Sequence, residues 1–173
     1  MSLAAASRRK AIVGAALAAV AVAVLGGLAT DIGPWYQALK KPSWQPPDWL
    51  FGPVWTVIFA LTALAGLKAA IAAPDAAARR TIVKVFGANA ALNVLWSLLF
   101  FRLHRPDWAL AEVVVLWLSI VVLIVVVARH SALGAWLLVP YLGWVAFAAF
   151  LNYTIVALNG PFGAPMVAGG IAR

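Results

Sequence analysis

The chain has 173 residues, 65% hydrophobic and 10% charged, more apolar surface than a soluble domain of this length can bury. Its formal net charge of +8 comes from 13 Lys and Arg in short clusters between oily runs, the pattern of membrane flanks and not of a nucleic-acid footprint. No cysteine is present, which excludes disulfides, thiolate metal sites and covalent haem attachment.

These bounds predict an all-α integral membrane protein, a five-transmembrane-helix bundle whose solvent is the lipid bilayer. A basic segment over 1–10, with Arg8, Arg9 and Lys10, precedes the first uncharged run at 11–30. That run exceeds the ~7–15 apolar residues of a signal-peptide core, and GLATDIG is a poor cleavage site, so a retained helix is expected. A loop over 31–48 follows. Further helices are expected at about 49–70, 82–101, 106–128 and 132–157, each near the ~20 residues that cross hydrocarbon. Between the second and third, AAPDAAARR at 72–80 has the composition of a linker. Pro106 suits the first position of the fourth helix, with Asp107 beside the positive helix end. The Gly- and Pro-rich tail, 158–173, is expected to be flexible.

Eight Lys and Arg fall on one side of this topology: Arg8, Arg9, Lys10, Lys68, Arg79, Arg80, Lys84 and Arg129. Five fall on the other: Lys40, Lys41, Arg102, Arg105 and Arg173. The bias places the N-terminus in the cytoplasm and the first loop outside, in a bacterial cell membrane.

Signatures of hydrolysis or phosphate binding are absent: no HExxH, no G-x-S-x-G, no Gly-Lys-Ser/Thr loop and no carboxylate pair at helical spacing. His104 and His130 sit in short loops beside Arg and read as ordinary polar residues, so no metal site is expected. Glu112 is the one acid inside a span, a functional candidate by its place, yet within two turns of a helix start where it reaches the interface.

The helix faces carry more. On the third span Asn89 and Asn93 lie one turn apart, and Trp96 and Phe100 continue the Asn93 stripe. On the fifth, Tyr141, Trp144, Ala148 and Asn152 recur at three- and four-residue steps, and the second offers Trp55 and Phe59. An amide in lipid needs a partner inside the bundle, so Asn93 and Asn152 point inward and bring their rings with them. Converging aromatic stripes form a pocket for a flat apolar ligand; as helix-to-helix glue and belt anchors they form none, and periodicity alone leaves the two readings level. Trp108, Trp117 and Trp136 are assigned to anchoring or lipid contact. Pro140, one turn before Trp144, is expected to kink the fifth helix and open space around Tyr141 and Trp144. Gly87 and Ala91 form a small-xxx-small ridge that suits an internal seam or a homodimer face.

Three blocks, WYQALKKPSWQPPDWLFGPVWT, ALNVLWSLLFF and WLLVPYLGWVAFAAFLNY, resemble the tryptophan-rich sensory protein and translocator protein (TspO/MBR) family, also called peripheral benzodiazepine receptors. The blocks keep the family's order and its prolines and asparagines. The resemblance implies a five-helix bundle, usually a homodimer, that binds porphyrins, sterol-like molecules and benzodiazepine-type ligands beneath a lid formed by the first loop. By motif match, Trp35, Tyr36, Lys40, Lys41, Pro42, Trp44, Pro46 and Pro47 belong to that lid. Trp55, Asn93, Trp96, Phe100, Trp144, Ala148 and Leu151 fall where the family lines its cavity, joined by Phe59 and Tyr141 from the helix faces. Trp55 and Trp144 match a pair implicated in porphyrin breakdown in bacterial relatives.

The expected ligand is therefore a tetrapyrrole, protoporphyrin IX or haem, with no cofactor required. The expected role is a receptor or sensor affecting tetrapyrrole transport or regulation. The alternatives are a light-dependent porphyrin-degrading enzyme and a small-molecule or sterol transporter. The family's proposed sterol motif needs a base within ~5 residues of its tyrosine. Here Tyr153 is followed by no base before Arg173, and the usual charges after the fifth helix are missing too.

Overall fold

The computed structural model describes Gly14, residues 20–22 and residues 24–163. The described residues are helical without strands: α1 (Val20–Ala29), α2 (Pro34–Ala38), α3 (Asp48–Ala72), α4 (Ala76–Ser97), α5 (Pro106–Ala128), α6 (Ala132–Trp136) and α7 (Val139–Asn159). Four helical stretches are long and apolar enough to cross a bilayer: Asp48–Ala72, Ala76–Arg102, Pro106–Ala128 and Ala132–Asn159. The protein is an all-α membrane protein. Of the fifth expected span, 11–30, Gly14 and the α1 portion are described, and the basic segment 1–10 and the tail beyond 163 lie outside the described residues.

Three helix boundaries differ from the sequence expectation, each for a local reason. The linker expected at 72–80 shortens to Ala73–Asp75, because the Asp75 side chain caps α4 by accepting from the Ala78 amide at 2.8 Å. The three alanines that follow are strong helix formers, so Arg79 and Arg80 ride in the first turns of α4. At the other end of α4 the helix widens into a π turn over Leu98–Arg102. The fifth span is also two pieces. A proline has no amide to donate, so Pro140 starts α7 after a turn at Leu137–Leu138 and no continuous helix is kinked around it. Tyr141, expected beside opened space, is packed into the interior at 2% exposure.

Helix α5 is the central post, contacting α4, α6, α7 and α3. Its buried edge runs Ala109, Val113, Leu116, Ile120, Leu123 and Val127 at helical steps, while Val114, Val115, Leu118 and Val122 face outward. The core is layered along the bundle. Ala65, Ala69, Ile82 and Leu123 pack at the α3–α4 turn, and Ile58, Val113, Leu116 and Tyr141 pack at mid-height. Tyr36, Phe100, Ala109, Leu151 and Ile155 pack beneath the 31–47 connector. A chain of polar groups crosses the middle layer. Tyr141 donates to Asn89 Oδ1 at 3.2 Å and accepts from Asn93 Nδ2 at 3.4 Å, and Asn89 donates to Ser119 at 2.8 Å. Each amide thus finds its partner on another helix, as hydrocarbon demands.

Candidate functional site

A cavity of about 460 Å³ lies beneath the connector, bounded by α1, α3, α4 and α7. Trp55 and Phe59 stack on one wall with ring centres 5.2 Å apart. The indoles of Trp55 and Trp144 stand edge to face at 6.5 Å and 88°, and Phe51 meets Trp144 at 5.7 Å. Opposite, Trp96 stacks on Phe100 at 5.2 Å. The indole of Trp96 donates to Asn152 Oδ1 at 3.2 Å, and Asn152 donates to the Pro106 carbonyl at 2.8 Å. Asn152 is 1% exposed, so these bonds fix one ring of the wall from behind. Gly26 and Gly27 of α1 close the remaining side, where an added Cβ would meet open space.

The π turn changes which rings face inward. An α-helix would swing Phe101 about 100° from Phe100. The extra residue of the π turn shifts the phase of Phe100 and Phe101 relative to the helix before it, and both line the cavity with ring centres 4.8 Å apart.

The connector contributes a latch. Tyr36 donates to Asp48 Oδ1 at 2.8 Å, Gln45 Nε2 bridges both, and Lys41 Nζ pairs with Asp48 Oδ2 at 3.3 Å while lying 3.7 Å above the Tyr36 ring. Burial, aided by the neighbouring carboxylate, holds the Tyr36 phenol well above its ordinary range. The loop is also tied to the end of α7, where Asn159 accepts from the Lys40 amide at 2.7 Å and donates to its carbonyl at 2.9 Å. Arg102 pairs with Asp31 at 3.7 Å and donates to the Leu28 carbonyl, fastening α1 to the end of the π turn.

Of the residues expected to bind ligand, Tyr36, Trp55, Phe59, Asn93, Trp96, Phe100, Trp144, Ala148 and Leu151 surround this one cavity. Three do not line it. Trp35 stacks on His104 at 4.2 Å, where a left-handed backbone (φ +53°) turns the histidine towards it. Trp44 lies against the outer side of α7, stacked on Phe150 at 5.1 Å. Tyr141 belongs to the polar chain below and borders a second cavity. Lys40, Lys41, Pro42, Pro46 and Pro47 stay off the cavity surface, and the roof is made by Tyr36 and Asp48.

Asp48, Phe51, Thr56, Ser97, Phe101 and Asn152 also line the cavity and were not among the expected binding residues. Helical spacing from Trp55 reaches Phe51, and the inward Asn152 stripe was legible; Phe101 had no signal, since a π turn has none in composition. Among the anchor assignments, Trp136 is exposed, Trp108 is exposed with Arg105 4.0 Å above its ring, and Trp117 packs against the middle core layer. Glu112 is buried, and neither carboxylate oxygen has a hydrogen-bond partner, so it does not reach the interface as its sequence position had implied. No added atom at Gly87 would meet a neighbour within 4 Å, so the small-residue ridge is not an internal seam among the described residues. Tyr153 is 58% exposed on the lipid side of α7, away from the cavity.

Comparison with known proteins agrees with the blocks that carry the resemblance. The model of the TspO/MBR family matches residues 15–158. The chain is 42% identical over 125 residues to the tryptophan-rich protein TspO of Chlorobaculum tepidum, covering 72% of this chain and 79% of that one. It is 37% identical over 151 residues to the protein of the same name in Archaeoglobus fulgidus, covering 86% and 96%. It is 34% identical over 127 residues to protein CrtK of Rhodobacter capsulatus, covering 73% and 79%. With a matched family model spanning most of its length and its aromatic blocks intact, the chain belongs to the TspO/MBR family of membrane proteins.

Proposed function

We propose that the protein is a membrane receptor or sensor that binds a porphyrin, or a flat hydrophobic molecule like it, in the cavity beneath the connector. The observation that carries this reading is the aromatic enclosure of Trp55, Trp96, Phe100 and Trp144, with Asn93 and Asn152 as the amides at its wall. Its volume of about 460 Å³ falls in the ~300–1,000 Å³ range of small-molecule sites. Flat rings present large faces at little entropic cost, and the buried amides fix orientation. Lys41, held by Asp48, is the cation nearest the roof; it meets a ligand carboxylate by exchanging one acid partner for another.

Titration of the purified protein with protoporphyrin IX, followed by tryptophan emission, tests the reading. Saturable quenching is expected, weakened about tenfold or more by Trp96→Ala and by Ala148→Trp, which fills the space. No quenching by protoporphyrin IX or haem, or quenching untouched by both substitutions, rejects it.

The edge-to-face approach of Trp55 and Trp144 at 6.5 Å favours a second reading, light-driven oxidative breakdown of the bound porphyrin by dissolved dioxygen, which takes up the electrons, with the two indoles relaying them. Under illumination this reading requires a new chromophore in the product spectrum, lost in Trp55→Phe or Trp144→Phe. Reversible quenching without product leaves the receptor reading alone.

A further inference from the structure

A second cavity of about 570 Å³ lies in the opposite half of the bundle, between α3 and α4 and bordered by Gly14 and Val22. Phe59 and Asn93 belong to both cavities, so they form the partition between them. The deep end is bounded by Asn93 and Tyr141, whose polar atoms are engaged with each other. Thr62 supplies one buried hydroxyl without a partner, and the rest of the lining is mostly apolar, with Leu67, Ile82 and Phe86 among it. Arg79 stands at the mouth. Around it, at the same end of the bundle, are Lys68, Arg80 and Lys84; none of these four cations forms an ion pair among the described residues. The nearby acid, Asp75, is committed to capping α4.

We infer that this cavity holds one acyl chain of an anionic phospholipid, drawn from the leaflet at the α3–α4 turn, with the lipid phosphate at Arg79. Length supports a chain entering from that leaflet. Arg79 and Asn93 are fourteen residues apart on one helix, about 21 Å of rise, against the ~15 Å of hydrocarbon in half a bilayer. Charge supports an anionic head, because clustered unpaired Lys and Arg at a helix end attract acidic lipid. Openness towards lipid supports a chain that arrives sideways: Val83 and Gly87 on this wall are exposed, and a Cβ at Gly87 would meet no atom within 4 Å.

The test uses the full chain, delipidated in detergent, titrated with phosphatidylglycerol and phosphatidylcholine of the same acyl chains and read by native mass spectrometry. Phosphatidylglycerol is expected to bind about fivefold tighter, the worth of one cation near an anionic head. Arg79→Gln is expected to erase that preference. Gly87→Leu, which puts a side chain into the open space, is expected to weaken both lipids at least about fivefold with circular dichroism and melting temperature unchanged. A phosphatidylglycerol with a photoreactive acyl chain is expected to label α3 and α4. Equal binding of the two lipids, or a preference that survives Arg79→Gln, overturns the inference, as does labelling confined to other helices. Should Gly87→Leu disturb the fold, Ala90→Leu on the same wall replaces it, and unchanged binding in that variant also overturns it. Capture of palmitate without phosphatidylglycerol overturns it in favour of a free fatty acid.

Discussion

Asn152, 1% exposed, makes two hydrogen bonds, and one of them holds the indole of Trp96. Asn152→Leu removes both bonds and leaves the Pro106 carbonyl and the Trp96 indole unpaired, which costs roughly 1–3 kcal/mol by the usual penalty for orphaned buried groups. A lower melting temperature in detergent is the expected result. In a double variant with Trp96→Phe the losses should not add, because the second change removes a group already orphaned. Additive losses would show that the two side chains act independently. At the roof, Tyr36 gives a pH dependence with a defined sign. Its phenol ionises near 10 in the unfolded chain and well above that in the fold, so the unfolded state loses its proton first. The stabilisation from this group is therefore complete below pH ~10 and is lost as pH rises through the folded value. Thermal melts from pH 7 to 12 should fall more steeply above pH 10 in the wild type than in Tyr36→Phe. Superimposable slopes would place the phenol in water.

At the scale of elements, hydropathy marked the four described crossings because lipid imposes length and apolarity together. Boundaries were less legible where one side chain decides them. Asp75 turns an alanine-rich stretch from linker into the start of α4, and Pro140 turns the middle of a span into the start of α7. The nine expected residues that line the cavity were legible because amides and rings on one stripe must face the bundle interior together. Trp44 was not, since an aromatic residue in a loop carries no periodicity to say which surface it covers. The π turn was hidden for the same reason, and it yields a test of its own. Deleting Leu99 should restore α-helical winding through Leu98–Arg102 and rotate Phe100 and Phe101 together relative to Trp96. The helical signal by circular dichroism should persist while porphyrin quenching weakens. Unchanged quenching would show that Phe100 and Phe101 are dispensable to the cavity.

At the scale of the whole molecule, the two ends of the bundle differ in how their cations are used. At the connector end Lys41, Arg102 and Arg105 pair with Asp48, Asp31 and Asp107, leaving Lys40 outside these pairs. At the opposite end Lys68, Arg79, Arg80, Lys84 and Arg129 form no ion pair among the described residues. Lys and Arg are favoured on the cytoplasmic side during insertion, so this asymmetry predicts the α3–α4 turn inside and the aromatic cavity with its latch outside. The absence of cysteine makes this orientation directly measurable, because any introduced thiol is the sole one in the chain. In intact bacterial cells a membrane-impermeant maleimide should label Ser43→Cys in the connector and spare Ala77→Cys at the start of α4 until the cells are opened. The reverse pattern would turn the molecule over, so that the aromatic cavity lies at the cytoplasmic side.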